Sequence, residues 1–222
     1  RANNELDLFV YKAAHDLRGP IARLQGLCQV GKMEGDKQTA FQYLDKINMV
    51  SQEMSAMLTR LLRARALNKQ ELTPVWINLY QTVQAVVNRL RIEENTADME
   101  IQLDIDHSLS LCIDVELFEI LLQNVIQNAI RYRNVSAVSY VRIGGKVESQ
   151  HVWVTVEDNG IGVGNELGDR IFEMFFKGTD KSNGFGLGLY ESRLITNRLN
   201  GTVDIVTTVK DKTIFQIMLP VK

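Results

Sequence analysis

The sequence predicts an α+β protein in which a helical N-terminal unit, residues 1–70, precedes a mixed helix-and-strand unit, residues 71–222. In the first unit, apolar residues recur every three or four positions, the period of one helix face, and no strand-like alternation occurs. Beyond about residue 75, segments that alternate apolar and polar residues lie between helical segments. Helices packed on a sheet would bury both kinds of apolar face, so we expect an α/β sandwich there.

The N-terminal unit is expected to consist of two long helices that carry heptad-like apolar stripes. Gly31, Gly35 and Asp36 indicate the turn between them. Because two helices alone cannot bury both stripes, we expect a homodimer in which four helices form a bundle. The stripes consist of Leu6, Val10, Ala13, Leu17, Ile21, Leu24 and Cys28, and of Leu44, Ile47, Ser51, Met54, Leu58, Leu61 and Arg65.

The first half of the C-terminal unit contains the signals of a linker, two helices and two strands. Residues 68–77 are expected to link the two units. Asn78 and Asp114 are typical N-cap residues, and each precedes a run with helical periodicity. Between these caps, apolar residues alternate over 101–105 and 109–113, as they do in strands.

The second half of this unit is expected to contain a strand, a long loop, a helix and a hairpin. Valines alternate with other residues over 152–156, which predicts a strand. Residues 157–186 are rich in Gly, Asn and Asp and indicate a loop with a short helical piece. A helix over 187–199 should end at Asn200-Gly201, and residues 203–219 should form a closing hairpin.

Composition and charge limit the possible partners. A net charge of −2 at pH 7 argues against a nucleic-acid-binding surface. No apolar run reaches the roughly 18 residues of a membrane span, so we expect a cytoplasmic location, with membrane contact only through a region outside this chain. The start at Arg1 without a methionine suggests a piece of a longer protein. Cys28 and Cys112 lie beside apolar residues and are expected to be buried free thiols.

His15 lies off the apolar stripe of the first helix and is expected to face solvent. A lone exposed histidine is more often idle than functional. Here Asp16 follows directly, as a carboxylate able to orient an imidazole, and Gly19-Pro20 weakens the helix within about one turn. Such a weak point is costly as architecture but suits a working site. We therefore predict catalytic roles for His15 and Asp16.

A second candidate site follows from the polar face of the predicted helix after Asp114. Asn124 and Asn128 are four residues apart and share that face, and Arg131 and Tyr132 continue it one turn later. A carboxamide oxygen is a ligand that Mg²⁺ accepts. Arg131 could neutralise phosphate, and Tyr132 could lie on a base. The alternative is an amphipathic helix with a solvated polar face.

Asp158 ends a predicted strand and is followed by Gly160 and Gly162. The chain lacks a P-loop, so a nucleotide would need another kind of site. The Asp158 carboxylate could accept a hydrogen bond from the exocyclic amine of adenine, while the glycines would let the backbone approach a ligand closely. The alternative is an ordinary tight Asn-Gly turn.

A glycine-rich segment formed by Gly184, Gly186, Leu187 and Gly188 enters the next predicted helix. Backbone N–H groups at a helix start suit phosphate oxygens, although the segment could also be a plain flexible loop. The aromatic segment before it ends at Lys177 and could anchor a lid with this lysine near the phosphates. A simple hydrophobic cluster is the alternative for that segment.

The order and spacing of these motifs closely resemble those of sensor histidine kinases of two-component systems, over almost the whole chain. Each motif alone is only moderately specific, but five in this order are very improbable by chance. Ala14–Pro20 resembles the H-box, Asn124–Tyr132 the N-box, Asp158–Gly162 the G1-box, Ile171–Lys177 the F-box and Gly184–Leu189 the G2-box.

The resemblance implies a dimerisation and histidine-phosphotransfer domain followed by an ATP-binding domain of the Bergerat type. It implies that His15 is phosphorylated from Mg-ATP with help from Asp16, that Asn128 holds Mg²⁺ and that Asp158 reads adenine. The phosphoryl group would then pass to an aspartate of a response regulator receiver domain, separate or fused. Two alternatives stay open: a related ATPase without kinase activity, and a non-catalytic nucleotide-binding scaffold.

Overall fold

The computed structural model of the chain contains two compact units, Arg1–Ala66 and Leu67–Lys222. The first is helical, and the second combines helices with strands, which confirms the prediction of a mixed α and β protein. The structure describes residues 2–67, 71–94, 96–134, 138–164, 167–178, 186–209 and 212–221. Within these ranges it describes all side chains except those of residues 2–14, 16, 60, 64–67 and 207–209.

The N-terminal unit is a pair of helices, α1 (Ala2–Met33) and α2 (Lys37–Leu67). Asp36 precedes α2 and caps it, because its Oδ2 accepts hydrogen bonds from the backbone N–H and the hydroxyl of Thr39, both at 2.8 Å. These hydrogen bonds also lower the pKa of the Asp36 carboxyl, with the Thr39 backbone bond as the largest cause.

Gly31 lies in the last turn of α1 and not in the turn between the helices, where it was expected. A Cβ atom at this position would lie 3.2 Å from the Cβ of Tyr43, so the glycine permits a close approach of α1 to α2. Cys28, which was expected to be buried, is exposed on the same helix, and Cys112 is half-buried.

One row of apolar side chains on α2 is covered, and another is exposed. Val50, Met57 and Leu61 are buried, whereas Leu44 and Leu58 are 57% and 51% exposed. The predicted stripe is therefore covered at Leu61 but not at Leu44 or Leu58, because α2 carries apolar residues over a wider face than one neighbouring helix can cover. The exposed row of α2 consists of Phe41, Leu44, Leu58 and Leu62.

Seven strands run through the described part of the C-terminal unit. They are β1 (Pro74–Asn78), β2 (Met99–Ile105), β3 (Ser110–Asp114), β4 (Ser139–Glu148), β5 (His151–Asp158), β6 (Thr202–Val209) and β7 (Lys212–Pro220). Five of them form a sheet in the order β2-β4-β5-β7-β6, in which only β2 and β4 run parallel. β1 and β3 form a separate antiparallel pair.

Three α-helices of this unit share one core with the five-stranded sheet: α3 (Leu79–Glu93), α4 (Val115–Arg131) and α5 (Gly188–Arg198). Asn78 and Asp114 cap α3 and α4, as predicted. Each side chain accepts a backbone N–H of the first turn, at 2.9 and 3.1 Å respectively.

Strand β5 shows how the sheet divides into a covered and an open face. Val152, Val154 and Val156 are fully buried beneath the helices, whereas Trp153 and Thr155 point to the opposite face and are half-buried. The alternation that predicted this strand thus reflects burial on one side only, and removal of the apolar face from water stabilises the sandwich.

The end of α5 follows the predicted Asn200-Gly201 signal closely. Asn200 has a φ of 58°, and its N–H donates to the Asn197 carbonyl at 3.1 Å, while the Gly201 N–H donates to the Thr196 carbonyl at 2.8 Å. A Cβ at Gly201 would lie 2.1 Å from the Met218 carbonyl oxygen, so only glycine fits between α5 and β7.

Two strands were not predicted. β1 begins inside the expected linker, residues 68–77. It was missed because its pairing with β3 depends on contacts more than thirty residues away in the sequence. β4 contains Gly144-Gly145, which interrupts its alternation. A Cβ at Gly145 would lie 2.8 Å from Leu79 Cδ2, and one at Gly144 would lie 2.7 Å from Thr155 Oγ1. Gly145 therefore makes room for α3 and Gly144 for a side chain of β5, and the pair does not form a turn. No helix in the described part of the chain is long and apolar enough to span a membrane.

Candidate functional site

Helix α4 carries the paired asparagines on the side of the core that faces α5. Asn124 is buried, and its Nδ2 donates to Glu191 Oε2 at 3.0 Å. Asn128 is half-buried one turn later, and Tyr132, the C-cap residue of α4, is also half-buried. The cap at Asp114 and the apolar inner face of α4 fix the helix, and with it the positions of these side chains.

Arg131 is held by a neighbour that the sequence did not reveal. Its Nε and Nη2 donate to Glu94 Oε1 at 2.9 and 2.6 Å, and the Gln127 amide donates to the same oxygen at 2.6 Å. Burial alone would raise the pKa of Glu94, but the bonds and charge from Arg131, together with the Gln127 bond, lower it below its ordinary value. Arg131 therefore cannot neutralise a phosphate without leaving Glu94.

The turn after β5 is built tightly against the end of α4. The Gly160 N–H donates to Asp158 Oδ1 at 2.9 Å, and the Ile161 N–H donates to the Tyr132 carbonyl at 3.0 Å. A Cβ at Gly160 would lie 2.3 Å from that carbonyl oxygen, and Gly162 has a φ of 74°. Both glycines are thus required by geometry, the first by close approach and the second by its backbone angle.

Asp158 itself is a buried carboxyl, and burial raises its pKa to about 6. The Gly160 N–H opposes this rise, whereas the negative charge of Glu157 adds to it. One oxygen is occupied by Gly160, which leaves the other to accept a hydrogen bond from a ligand amine.

Asn159 anchors the same turn to the neighbouring strand. Its Oδ1 accepts the Tyr140 N–H at 2.7 Å, and its Nδ2 donates to the Val138 carbonyl at 2.8 Å. An asparagine in an Asn-Gly turn was noted in the sequence, but its partners lie on β4 and directly before it, and that strand was not predicted. The bridge keeps Asp158 at a fixed place at the end of the sheet.

The glycine-rich segment meets the aromatic segment at one point. The Phe175 N–H donates to the Gly186 carbonyl at 2.9 Å, and a Cβ at Gly186 would lie 2.4 Å from the Phe176 carbonyl oxygen. Gly186 has a φ of 65°, and Leu187 is buried behind it. Gly184, also predicted for the site, lies outside the described residues, and Lys177 is exposed.

Gly188, the first residue of α5, lies against the asparagine pair. A Cβ there would lie 3.6 Å from Asn124 Oδ1. The start of α5 and the polar face of α4 therefore converge. The site gathers Asn124, Gly186 and Gly188 around one helix N-terminus, whose N–H groups suit an anionic ligand.

The aromatic segment is fixed by an arginine that sequence reasoning missed. Phe172 ends a short 3-10 helix, Gly168–Phe172, and its ring contacts the Phe215 ring edge-on at 6.5 Å between centroids. The Arg193 guanidinium lies 4.1 Å from the Phe172 ring centroid and donates to Asp169 at 3.0 Å. A basic residue on the outer side of α5 gave no sequence signal for this contact.

His15 belongs to the N-terminal unit and is exposed, as predicted from its place off the stripe. Pro20 lies inside α1, in the helix that carries His15. Proline cannot donate the hydrogen bond expected by the carbonyl one turn earlier, so the helix is weakened after the histidine. Asp16 is helical, but its side chain lies outside the described residues.

The donor set of the C-terminal unit fits Mg²⁺ held mainly by a nucleotide. The described residues contain no cluster of three or more His, Cys, Asp or Glu suited to a metal ion. Mg²⁺ bound through substrate phosphates needs only one or two protein oxygens, which Asn124 and Asn128 can offer. Glu191 adds a buried oxygen, Oε1, that lacks a hydrogen-bond partner within the described part of the chain.

Residues 113–222 match a protein family described as histidine kinase-, DNA gyrase B- and HSP90-like ATPases. The sensor-like histidine kinase SenX3 of Mycobacterium tuberculosis is 26% identical over 220 residues, which cover 96% of this chain and 53% of that protein. The heme sensor protein HssS of Staphylococcus aureus is 26% identical, over 96% of this chain and 46% of that protein. The chain thus spans about half the length of the curated relatives it matches.

Solved structures of histidine kinases are also similar to the chain. The Acinetobacter baumannii histidine kinase AdeS superposes with a TM-score of 0.73 and 25% identity, over 94% of this chain and 98% of that one. The histidine kinase ThkA, solved in complex with the response regulator TrrA, superposes with a TM-score of 0.80 and 21% identity, over 100% of this chain and 64% of that one. At 21% identity, the similarity to ThkA supports the fold alone.

Fold, site and relatives together relate the chain to the histidine kinase class. Residues 113–222 match the histidine kinase-, DNA gyrase B- and HSP90-like ATPases, and nearly the whole chain is similar to proteins named as sensor histidine kinases. The prediction drawn from the five motifs is thereby confirmed, and the ATPase match supports ATP as the nucleotide.

Proposed function

We propose that this chain phosphorylates His15 from Mg-ATP and passes the phosphoryl group to an aspartate of a response regulator receiver domain, separate or fused. One observation carries the proposal: an exposed histidine on a proline-weakened helix accompanies an ATPase unit of the histidine kinase type in a single chain. A plain ATPase would have no use for that histidine, and a mere scaffold would not need an intact nucleotide site.

In the proposed nucleotide site, each group has a separate task. The free oxygen of Asp158 accepts the adenine amine, and Tyr132 lies at the end of α4 beside the same turn. Asn128 holds Mg²⁺, and Asn124 lies one turn before it on the same helix. Mg²⁺, when bound, offsets charge on the phosphates.

The phosphate-binding part of the site is proposed to consist of the glycine segment and one lysine. Gly186 and Leu187 lead into α5, which begins at Gly188 and whose N–H groups face the phosphates. Gly184, two residues earlier in the sequence, is proposed to belong to the same segment. Lys177 supplies positive charge, and its exposure leaves it able to reach a bound nucleotide. Arg131 was also predicted to offset phosphate charge. Because Glu94 accepts two hydrogen bonds from its guanidinium, Arg131 is instead proposed to join the end of α3 to α4.

Two in-line transfers complete the proposed chemistry. An imidazole nitrogen of His15 attacks the γ-phosphorus, the bond to the β-phosphate oxygen breaks, and ADP leaves. Asp16, as the adjacent carboxylate, orients the imidazole and accepts the proton that the other ring nitrogen loses. A carboxylate oxygen of the receiver aspartate then attacks the phosphohistidine, and the His15 imidazole is released.

We further propose that the N-terminal unit forms a four-helix bundle as a homodimer. The exposed row of α2, Phe41, Leu44, Leu58 and Leu62, supports this, because α1 leaves these side chains in water. In a dimer, the exposed row of each copy would be buried against the other copy. The ATP-binding unit is proposed to have the Bergerat-type sandwich, and the whole core is proposed to act in the cytoplasm, where ATP and receiver domains are found.

Incubation of the chain with γ-labelled Mg-ATP separates the three possible activities. A kinase retains label on the protein, a plain ATPase releases it as free phosphate, and a scaffold does neither. We expect protein-bound label that leaves on addition of a receiver domain. Rapid release of free phosphate without protein label would contradict the proposal.

A further inference from the structure

A buried polar contact links α4 to α5. Glu191, in the first turn of α5, is 3% exposed, and Asn124 on α4 is 6% exposed. The Asn124 Nδ2 donates to Glu191 Oε2 at 3.0 Å. Ser192 and Thr196, the neighbouring buried polar residues of α5, donate instead to backbone carbonyls of their own helix. Glu191 therefore differs from Ser192 and Thr196, because it accepts a hydrogen bond from a side chain of α4.

The contact fixes the direction of the Asn124 carboxamide. A carboxylate accepts hydrogen bonds and donates none, whereas a carboxamide has one donating and one accepting end. Glu191 must therefore face the nitrogen of Asn124, which turns Oδ1 away from it. Oδ1 lies 3.6 Å from the position of a Cβ on Gly188, at the start of α5. The Asn124 carboxamide oxygen, which can ligate a metal ion, is thus held beside the proposed phosphate site.

The second oxygen of Glu191 indicates a bound ligand. Oε1 is buried and has no hydrogen-bond partner among the described residues. Buried polar atoms are nearly always paired, so this one calls for a donor that the described part of the chain does not supply. A carboxylate near bound phosphates would also repel them unless a cation lay close by. Hydrated Mg²⁺ meets both needs, since it is attracted by the charge and its waters donate hydrogen bonds.

We propose that Glu191 is a positioning residue of the magnesium site, which holds the Asn124 carboxamide so that Oδ1 serves with Asn128 as an oxygen donor toward hydrated Mg²⁺. The inference rests on the proposed function, because it requires a magnesium–nucleotide complex. Groups that orient metal ligands typically change metal affinity by about 10- to 100-fold.

Glu191→Gln is the sharpest test, because it keeps the shape of the side chain while its amide can donate as well as accept. The Asn124 carboxamide is then free to turn over. Thr196→Val is the matched control: Thr196 is also fully buried on α5, but its hydrogen bonds to described residues stay within its own helix. The complete chain is titrated calorimetrically with a non-hydrolysable ATP analogue, once with Mg²⁺ and once with a chelator.

We expect Glu191→Gln to weaken binding by about tenfold with Mg²⁺ and by less than about twofold without it. Thr196→Val should change neither value. In an Asn124→Ala background, Glu191→Gln should have little further effect, because Glu191 acts through Asn124.

Unchanged magnesium-dependent affinity in Glu191→Gln would overturn the inference. Equal losses with and without Mg²⁺ would also overturn it, because they would show that Glu191 merely holds α5 in place. Additive losses in the Asn124→Ala background would do the same. A wild-type chain that binds no magnesium nucleotide would overturn the proposed function itself, which is a distinct result.

Discussion

Asp158 illustrates how one residue can serve a ligand at a cost in stability. It ends β5, is buried behind the turn that Gly160 makes, and has a pKa raised by burial to about 6. Only the ionised form leaves its second oxygen as an acceptor for the adenine amine, since the acid would present a donor there. Nucleotide affinity and folding stability therefore respond to this carboxyl in opposite ways.

We predict that nucleotide affinity falls as pH falls through about 6. With a pKa of about 6, roughly ten in eleven Asp158 carboxyls are ionised at pH 7 but only about one in eleven at pH 5, so affinity should drop about tenfold. Calorimetric titration with an ATP analogue at both pH values measures this. Asp158→Asn is the control for protonation of the phosphates, and a wild-type decline no steeper than that of the variant would count against the assignment.

We also predict that Asp158→Asn stabilises the nucleotide-free protein at neutral pH. The folded-state pKa lies above the ordinary value of 3.8, so the carboxyl destabilises the fold once pH exceeds 3.8, and fully above about 6. The cost amounts to roughly 2–3 kcal/mol, which an uncharged amide would largely avoid. Urea unfolding at pH 7.5 should show a higher midpoint for Asp158→Asn, with a smaller difference at pH 4. A lower midpoint at pH 7.5 would refute the prediction.

Gly160→Ala should damage the same site sterically. Its Cβ would lie 2.3 Å from the Tyr132 carbonyl oxygen, so the turn must move away from α4 and carry Asp158 with it. We expect at least a tenfold loss of nucleotide affinity. Gly35→Ala is the control, because a Cβ there meets nothing within 4 Å. Wild-type affinity in Gly160→Ala, measured in the same titration, would show that the turn does not set the site.

At the scale of elements, sequence signals predicted what depends on local chemistry. Asn78 and Asp114 cap their helices, and Asn200-Gly201 ends α5, because capping and left-handed turns depend on neighbouring residues. β1 could not be predicted in this way, since its pairing with β3 is long-range. β4 was hidden by Gly144-Gly145, of which Gly145 accommodates Leu79. Pairing and packing across the chain therefore set the limit of prediction.

The same limit applies to the elements that carry the site. Motif spacing singled out Asn124, Asp158 and the glycines, because the proposed ligand chemistry calls for those residue types. It did not reveal that Glu94 bonds to Arg131 or that Glu191 bonds to Asn124, since Glu94 caps the end of α3 and Glu191 lies on α5. Contacts between elements therefore suggest a structural role for Arg131 and underlie the role proposed for Glu191.

At the scale of the whole molecule, the two units divide the proposed work. The helical unit presents His15, and the α/β unit presents the nucleotide site. The chain spans about half the length of its curated relatives. Two copies of the helical unit are proposed to cover the exposed apolar row of α2.

We predict that Leu44→Asp with Leu58→Asp makes the chain monomeric but folded. Both side chains are more than half exposed in one chain, so the fold should tolerate the changes. Each leucine buried in a dimer contributes about 1.5–3 kcal/mol, and four are lost per dimer, so the dissociation constant should rise at least about 1,000-fold. Sedimentation equilibrium at micromolar concentration measures this, with Met33→Asp, 81% exposed, as control. A dimeric double variant, or a monomeric wild type, would contradict the proposed interface.

Direct chemical identification of the phosphorylated residue tests the central claim most sharply. After incubation with γ-labelled Mg-ATP, we expect label that survives alkali and is lost in acid, as expected for a phosphoramidate, and that peptide mapping assigns to His15. His15→Gln should abolish this label while nucleotide affinity stays at the wild-type value, and His107→Gln, at an exposed histidine of the other unit, should label normally. Acid-stable label on a hydroxyl side chain, or persistent label in His15→Gln, would contradict the account.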